Sequence, residues 1–235
     1  MRCRRFLPAL LLLGLVGSCS AAPPLPAGGE LLGAAKTTFS DVRSLHFAVD
    51  VNGVLPGLPL RQLDGDATLS GGGYATGQAQ VQNGAQDHKF SFVVDGDTAT
   101  TKDPSGQSWT GPSPFKVAGF LGANGSLAQL LGAVSGAHTE IRESMQGVDA
   151  YRVGGSVPAA VATRLLPQIH DDVLVKVWVT VSEPRRFARL WLQVPPATER
   201  DSPVMFEVML SQQDQAAPAP TGQAQRASTA VPARR

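Results

Sequence analysis

The stretch VLVKVWVTV, residues 173–181, places a valine at every second position from Val173 to Val181, with Leu174, Lys176, Trp178 and Thr180 between them. Strict alternation marks a β-strand, because successive side chains of a strand point to opposite faces. The same period recurs elsewhere in the chain. Leu45, Phe47, Val49 and Val51 alternate with His46, Ala48 and Asp50, and Ala79 and Val81 alternate with Gln78, Gln80 and Gln82. Phe90, Phe92 and Val94 alternate with Lys89, Ser91 and Val93. Ala188, Leu190, Leu192 and Val194 face away from Arg189 and Gln193, as do Val204, Phe206, Val208 and Leu210 from Met205, Glu207 and Met209. Turn chemistry punctuates the runs at Asn52-Gly53, Asp64-Gly65-Asp66, Gly71-Gly72-Gly73, Asn83-Gly84 and Asp95-Gly96-Asp97. Short strands joined by tight turns predict a large antiparallel sheet with one wet face.

Helical periodicity interrupts this pattern three times. Leu31, Leu32, Ala35, Phe39 and Val42 fall on one stripe. A second helix is predicted over Gly125–Val134, with Leu127, Leu130, Leu131 and Val134 on one side. A third is predicted over Pro158–Ile169, with Val161, Leu165 and Leu166 inward and Pro158 near its start, where a missing N–H costs little. Glycine and proline supply 43 of 235 residues and aromatics only 6%, which argues against a dense aromatic core. The expected class is α+β: an antiparallel sheet with helices on one face, lined by small aliphatic side chains.

The N-terminus reads separately. Arg2, Arg4 and Arg5 precede an apolar block from Phe6 to Val16, broken only by Pro8 and Gly14. Residues 1–18 therefore read as a secretory signal peptide, too short for a span of roughly 20 apolar residues. Val16-Gly17-Ser18-Cys19 resembles the lipobox of bacterial lipoproteins, with Cys19 as the lipidated residue. An ordinary signal-peptidase site at Gly17-Ser18 or Ala21-Ala22 is the alternative. Cys19 has no cysteine downstream of it to pair with. The diacylglycerol thioether of a lipoprotein supplies two chains at once, enough for stable anchoring. Residues 19–29 then form a lipidated, Pro- and Gly-rich tether, 30–212 one folded domain, and 213–235, rich in Ala, Pro and Gln, a disordered tail.

The charge balance excludes some partners. The chain has 20 basic and 19 acidic residues; without the three leader arginines the balance is 17 against 19. A slightly acidic domain lacks the concentrated basic face that nucleic-acid binding needs. Catalytic motifs are missing as well: there is no G-x-S-x-G elbow, H-E-x-x-H pair or Walker loop. His46, His88, His138 and His170 are scattered, and His170-Asp171-Asp172, the one dense polar trio, reads as a loop more readily than as a metal site. Asp95-Gly96-Asp97 lacks the later carboxylates of a calcium loop and reads as a hairpin turn. No cofactor, metal or enzymatic role is expected.

An ordered set of short segments carries a family likeness. Val51-Asn52-Gly53 followed by Pro56-Gly57-Leu58 and Leu63-Asp64-Gly65-Asp66, then Ala75-Thr76-Gly77, Phe92-Val93-Val94-Asp95-Gly96, Trp109 with Gly111-Pro112, Ser126-Leu127-Ala128-Gln129-Leu130-Leu131 and Val177-Trp178-Val179, resembles the mycobacterial LppX/LprAFG lipoproteins. The likeness runs from about Glu30 to Gln212. The chain departs from it in having Ser211-Gln212-Gln213 where the family often has Trp-Gly, and in lacking a tyrosine between Pro112 and Ala123.

The resemblance implies a strongly bent antiparallel half-barrel with helices across its concave face, enclosing an apolar cavity. It implies a cargo of acylated lipids or glycolipids carried outward from the plasma membrane, work beside a membrane lipid exporter, and a place on the extracytoplasmic face of the cell membrane. The walls of such a cavity would be Val49, Ala79, Val81, Phe90, Phe92 and Val94 from the first strands, Val175, Val177 and Val179 from the valine row, and Leu127, Leu130, Leu131 and Val134 from the central helix. Those same rows could instead pack on the helices as an ordinary core. The competing function is a membrane-anchored module that binds a protein and holds no lipid.

Overall fold

The valine row forms a strand that is the ninth among the described residues. In the computed structural model, which describes residues 24–70, 73–196 and 202–215, helix α1 (Gly28–Ser40) precedes strands β1 (Ser44–Asn52), β2 (Leu60–Thr68), β3 (Tyr74–Asn83), β4 (Gln86–Asp95), β5 (Thr98–Lys102) and β6 (Ser108–Pro112). Helices α2 (Val117–Leu121) and α3 (Ser126–Leu131) lead to β7 (Ser135–Met145) and β8 (Val148–Val157). Helix α4 (Ala159–Leu165) and strands β9 (Val173–Thr180), β10 (Phe187–Val194) and β11 (Val204–Ser211) complete the domain. The leader with Cys19, the Gly71-Gly72 turn and residues 216–235 of the tail lie outside the described residues.

The strands form one antiparallel sheet in the order β6-β5-β4-β3-β2-β1-β11-β10-β9-β8-β7. Its edges, β6 and β7, do not pair with each other, so the sheet is open. Residues 113–134, carrying α2 and α3, run from one edge to the other. One face is apolar: along β1, Leu45, Phe47, Val49 and Val51 are buried, and β11 repeats the alternation with Val204, Phe206, Val208 and Leu210. Helix α1 lies on this face, touching β7, β8, β9 and β10, and buries Leu31, Leu32, Ala35 and Phe39 at spacings of three and four. The expected α+β class, an open antiparallel sheet with helices on one face, is the fold of this chain.

Several local expectations are corrected. Asp64-Gly65-Asp66 is not a turn but the middle of β2, where Gly65 pairs with Phe47 on one side and Gly77 on the other. A Cβ on Gly77 would overlap the Asp64 carbonyl oxygen and lie 2.7 Å from the Gly65 Cα. The two strand backbones approach here more closely than any side chain permits, and Phe47 and Phe92 flank the pair from the neighbouring strands. The predicted helices are shorter than their apolar stripes: α3 stops at Gly132, and Pro158 is the N-cap of α4. The core also holds more aromatic volume than composition suggests. Phe39, Phe47, Phe187 and Phe206 are fully buried, and the Phe39 and Phe187 rings meet edge to face at 5.7 Å.

The outer face is not uniformly wet. Trp178, alternating with the valines, is only 3% exposed and Thr180 only 7%. Arg189 lies 5.0 Å over the Trp178 ring, Trp191 packs against it edge-on at 5.2 Å, and the indole N–H donates to Glu143 at 2.9 Å. Beside it, Glu140 accepts from Lys176 at 2.5 Å and from Arg152 at 2.7 Å. The Lys176 hydrogen bond, opposed in part by burial and reinforced by Arg152, holds the Glu140 carboxyl below its ordinary value. A carboxylate depressed in the folded state adds stability above the ordinary glutamate range and loses it as pH falls through the folded value. Glu140→Gln should therefore cost about 1–3 kcal/mol at neutral pH. Its urea midpoint should converge with that of the parent as pH drops below about 4.

Candidate functional site

One residue row crosses most of the inner face. Strand pairing aligns Val153, Val177, Leu190, Val208, Val49, Leu63, Ala79 and Phe90 across β8, β9, β10, β11, β1, β2, β3 and β4. From Val153 to Val49 the row is closed to solvent. From Leu63 onward the cover loosens: Leu63 and Phe90 are half-buried, as are Leu60 and Val81 on the same strands. Phe115 and Phe120, beside and within α2, are also half-buried and pack against the core. None of these side chains has a hydrogen-bonding group, so a hydrocarbon laid against this face would be held only by dispersion and exclusion of water.

The expected lining residues divide accordingly. Val49, Ala79, Phe92, Val94, Leu127, Leu130, Leu131, Val175, Val177 and Val179 belong to one buried core cluster, in which the α3 leucines and the valine row are brought together. Phe90 and Val134 pack against that cluster from partly exposed positions, and Val81 is half-buried near the end of β3. Val134 sits over Gly155, where a Cβ would come within 2.5 Å of its Cγ1. Cys19 lies outside the described residues.

Sequence reading missed a recess of about 400 Å³ at the rim of the sheet. It is lined by Val54, Leu55, Pro56, Gly57, Leu58, Pro59, Arg61, Gln82 and Gly84. Its size falls within the range of about 300–1,000 Å³ usual for small-ligand sites. The β1–β2 loop that builds it is well determined by sequence. Pro56 and Gly57, with Gly57 at φ +81° and Leu58 N–H donating to the Leu55 carbonyl at 3.0 Å, form a type II turn. Arg61 braces the loop by donating to the Gly53 carbonyl and to Gln82 Oε1, and Gln168, beyond α4, donates to the Gly57 carbonyl at 3.3 Å. The clue was an uncharged run, VNGVLPGLPL from Val51 to Leu60, whose apolar residues follow neither period.

The polar clusters have structural uses. His46 lies between Asp66, 3.0 Å from its Nδ1, and Asp64, 3.3 Å from its Nε2, on the outer face. Asp172 accepts from the Ala159 N–H at 2.8 Å, at the start of α4. Among the described residues no group of three or more His, Cys, Asp or Glu side chains is placed to hold a metal ion, and no helix is long and apolar enough to cross a membrane.

Comparison with known proteins agrees with this architecture. Residues 27–216 match the family described as LppX_LprAFG lipoprotein. The lipoarabinomannan carrier protein LprG of Mycobacterium leprae is 31% identical over 179 residues, covering 74% of this chain and 75% of that protein. The protein of the same name from Mycobacterium tuberculosis strain H37Ra is 30% identical over 181 residues, covering 75% and 76%. Among solved structures, LprF from Mycobacterium bovis superposes with a TM-score of 0.70 at 22% identity, covering 83% of this chain and 96% of that one. LppX from Mycobacterium tuberculosis superposes with a TM-score of 0.61 at 17% identity, covering 81% and 98%.

Proposed function

The chain belongs to the LppX_LprAFG lipoprotein family, and on that premise we propose that it binds acylated envelope lipids or glycolipids along the apolar inner face of its sheet and carries them from the plasma membrane toward the outer envelope. The observation that carries the reading is the loosened part of that face, where Leu60, Leu63, Val81 and Phe90 remain half-buried. A 16-carbon chain in water exposes on the order of 12 kcal/mol of unfavourable hydration, at about 0.8 kcal/mol per CH2. Walls without hydrogen-bonding groups cover such a chain without selecting its length, which suits a carrier that must also let go. The short helices α2 and α3, of five and six residues, are the elements that yield to admit it. The role is that of a carrier and not of a catalyst, and a membrane lipid exporter is its expected neighbour.

Extraction of protein purified from its native envelope, followed by mass spectrometry, tests this directly. Stoichiometric co-purified lipid is the expected result; its repeated absence would favour a module that binds a protein partner instead. The carrier is further proposed to be held at the extracytoplasmic face by lipidated Cys19, after removal of residues 1–18. Cys19→Ser should move the protein from the membrane fraction to the aqueous one, and unchanged membrane association would refute the anchor.

A further inference from the structure

One tryptophan on the inner face stays outside the core. Strand pairing aligns Phe47, Gly65, Gly77, Phe92, Thr101 and Trp109 across β1 to β6. Directly opposed residues share a face, so Trp109 lies on the side that buries Phe47 and Phe92, yet it is 57% exposed. The next residue of β6 on that side is Gly111, opposite Ala99, and a Cβ there would overlap Cη2 and Cζ2 of the indole. The ring is therefore laid over the glycine, resting on its own strand, and does not stand up into solvent. The row of Leu63, Ala79 and Phe90 runs immediately beside this one and ends at β4. Trp109 lies two strands beyond it, about 10 Å across the sheet.

The polar groups on this margin are uncommitted. Neither the indole N–H of Trp109 nor the hydroxyl of Thr101 makes a hydrogen bond with any described residue. Asp103 lies two residues on from Thr101, and its N–H donates to the Gln107 carbonyl at 3.0 Å, which continues the β5–β6 ladder. Its Oδ1 alone serves the turn, accepting from Ser105 Oγ at 2.6 Å and from the Gln107 N–H at 2.9 Å. The Ser105 hydrogen bond, opposed in part by burial, holds this carboxyl below its ordinary value, so Oδ2 remains a charged acceptor at neutral pH. The lysines of β4 and β5, Lys89 and Lys102, belong to the outer face, opposite Gln80 and Ser91. Lys116, on the connection to α2, is paired with Asp97 at 3.0 Å.

These groups suit one chemistry. A phosphate would meet the Asp103 charge with no cation to compensate it. A quaternary ammonium is held by several aromatic faces, and here one is open. A sugar ring presents an apolar C–H face that a flat indole can cover. Its rim of hydroxyls needs donors and acceptors such as a free N–H, a hydroxyl and a carboxylate oxygen.

We propose that Trp109, with Thr101 and Asp103 beside it, is the subsite for a sugar ring in the head of the carried lipid, so that glycolipids are the preferred cargo. The assignment rests on the carrier reading, with the acyl chain on the Leu63–Ala79–Phe90 strip and the sugar on the β5–β6 margin.

The test uses the acylated protein stripped of cargo and offered dipalmitoylglycerol, its monoglucoside and dipalmitoyl phosphatidylcholine, three lipids with the same chains and different heads. Uptake is measured by mass spectrometry for the parent, Trp109→Ala and Trp109→Phe, beside a thermal melt. The site is exposed on an edge strand, so both variants should fold. The parent should take the glucoside about tenfold over the other two, the worth of one stacked ring. Trp109→Ala should take all three alike without loss of dipalmitoylglycerol uptake, and Trp109→Phe should keep most of the preference. A parent without preference, a preference that survives Trp109→Ala, or a Trp109-dependent preference for phosphatidylcholine would each overturn the subsite. Uptake of dipalmitoylglycerol reports the carrier reading separately: uptake without sugar preference removes the subsite alone, whereas no uptake of any lipid removes both.

Discussion

Ala79→Trp is expected to reduce co-purified lipid at least about tenfold, the equivalent of about 1.4 kcal/mol of lost affinity, while the protein remains folded. Ala79 is 5% exposed in the centre of β3, aligned between Leu63 of β2 and Phe90 of β4. Both neighbours are half-buried, so an indole placed there can push them toward solvent instead of into the sealed part of the core. Overpacking of this kind costs about 1–3 kcal/mol. The added side chain occupies the part of the inner face proposed to hold the acyl chain. Val93→Trp, on the opposite face of β4 at a site 38% exposed, should load normally and serves as the control. Lipid per mole of protein, measured beside a thermal melt, decides the matter: loading by Ala79→Trp equal to that of the control would place the lipid elsewhere.

Gly77→Val should have the largest effect on stability, a loss of about 3 kcal/mol or more, equivalent to roughly 10 °C in Tm for a domain of this size. The new Cβ would overlap the Asp64 carbonyl oxygen on the paired strand, where no rotamer change relieves it. Either β2 and β3 part, losing ladder hydrogen bonds, or the sheet opens where Gly65 and Gly77 pair between Phe47 of β1 and Phe92 of β4. Gly84→Val is the informative comparison. Gly84 lies in the β3–β4 turn with φ +62°, where a side chain meets strain but no neighbouring atom within 4 Å. A smaller loss is expected there, and equal losses at the two sites would refute the close-approach argument.

How much was legible in the sequence varies with the physical origin of each feature. The alternation in β1, β4, β9, β10 and β11 was plain, because one face of each strand is buried and burial writes a period of two. Strands β5 to β8 were not named from sequence. Thr98–Lys102 and Ser108–Pro112 lie at one margin of the sheet, and Ser135–Met145 at the other, where few side chains face the core and the pattern fades into polar residues. Gln146-Gly147, both at positive φ, closes the β7–β8 hairpin without the Asn or Asp that usually announces such a turn. Asp64-Gly65-Asp66 misled for the converse reason. Its turn-like composition serves a close approach of two strands, and glycine is required by Gly77 across the ladder, not by its own neighbours in sequence.

The sequence by itself determined the class of fold, the family likeness and the apolar character of the inner face, because all three depend on which residues alternate and in what order. Tertiary structure alone decided which parts of that face are sealed and which are loosely covered. The valines of β9 and the leucines of α3 are closed into one core, whereas Leu63 and Phe90 keep partial access to solvent, although all of them alternate onto the same apolar face. That difference arises from the placement of helices across strands distant in sequence. Burial is a property of what lies opposite a side chain, and the chain's own periodicity records only which face a residue is on.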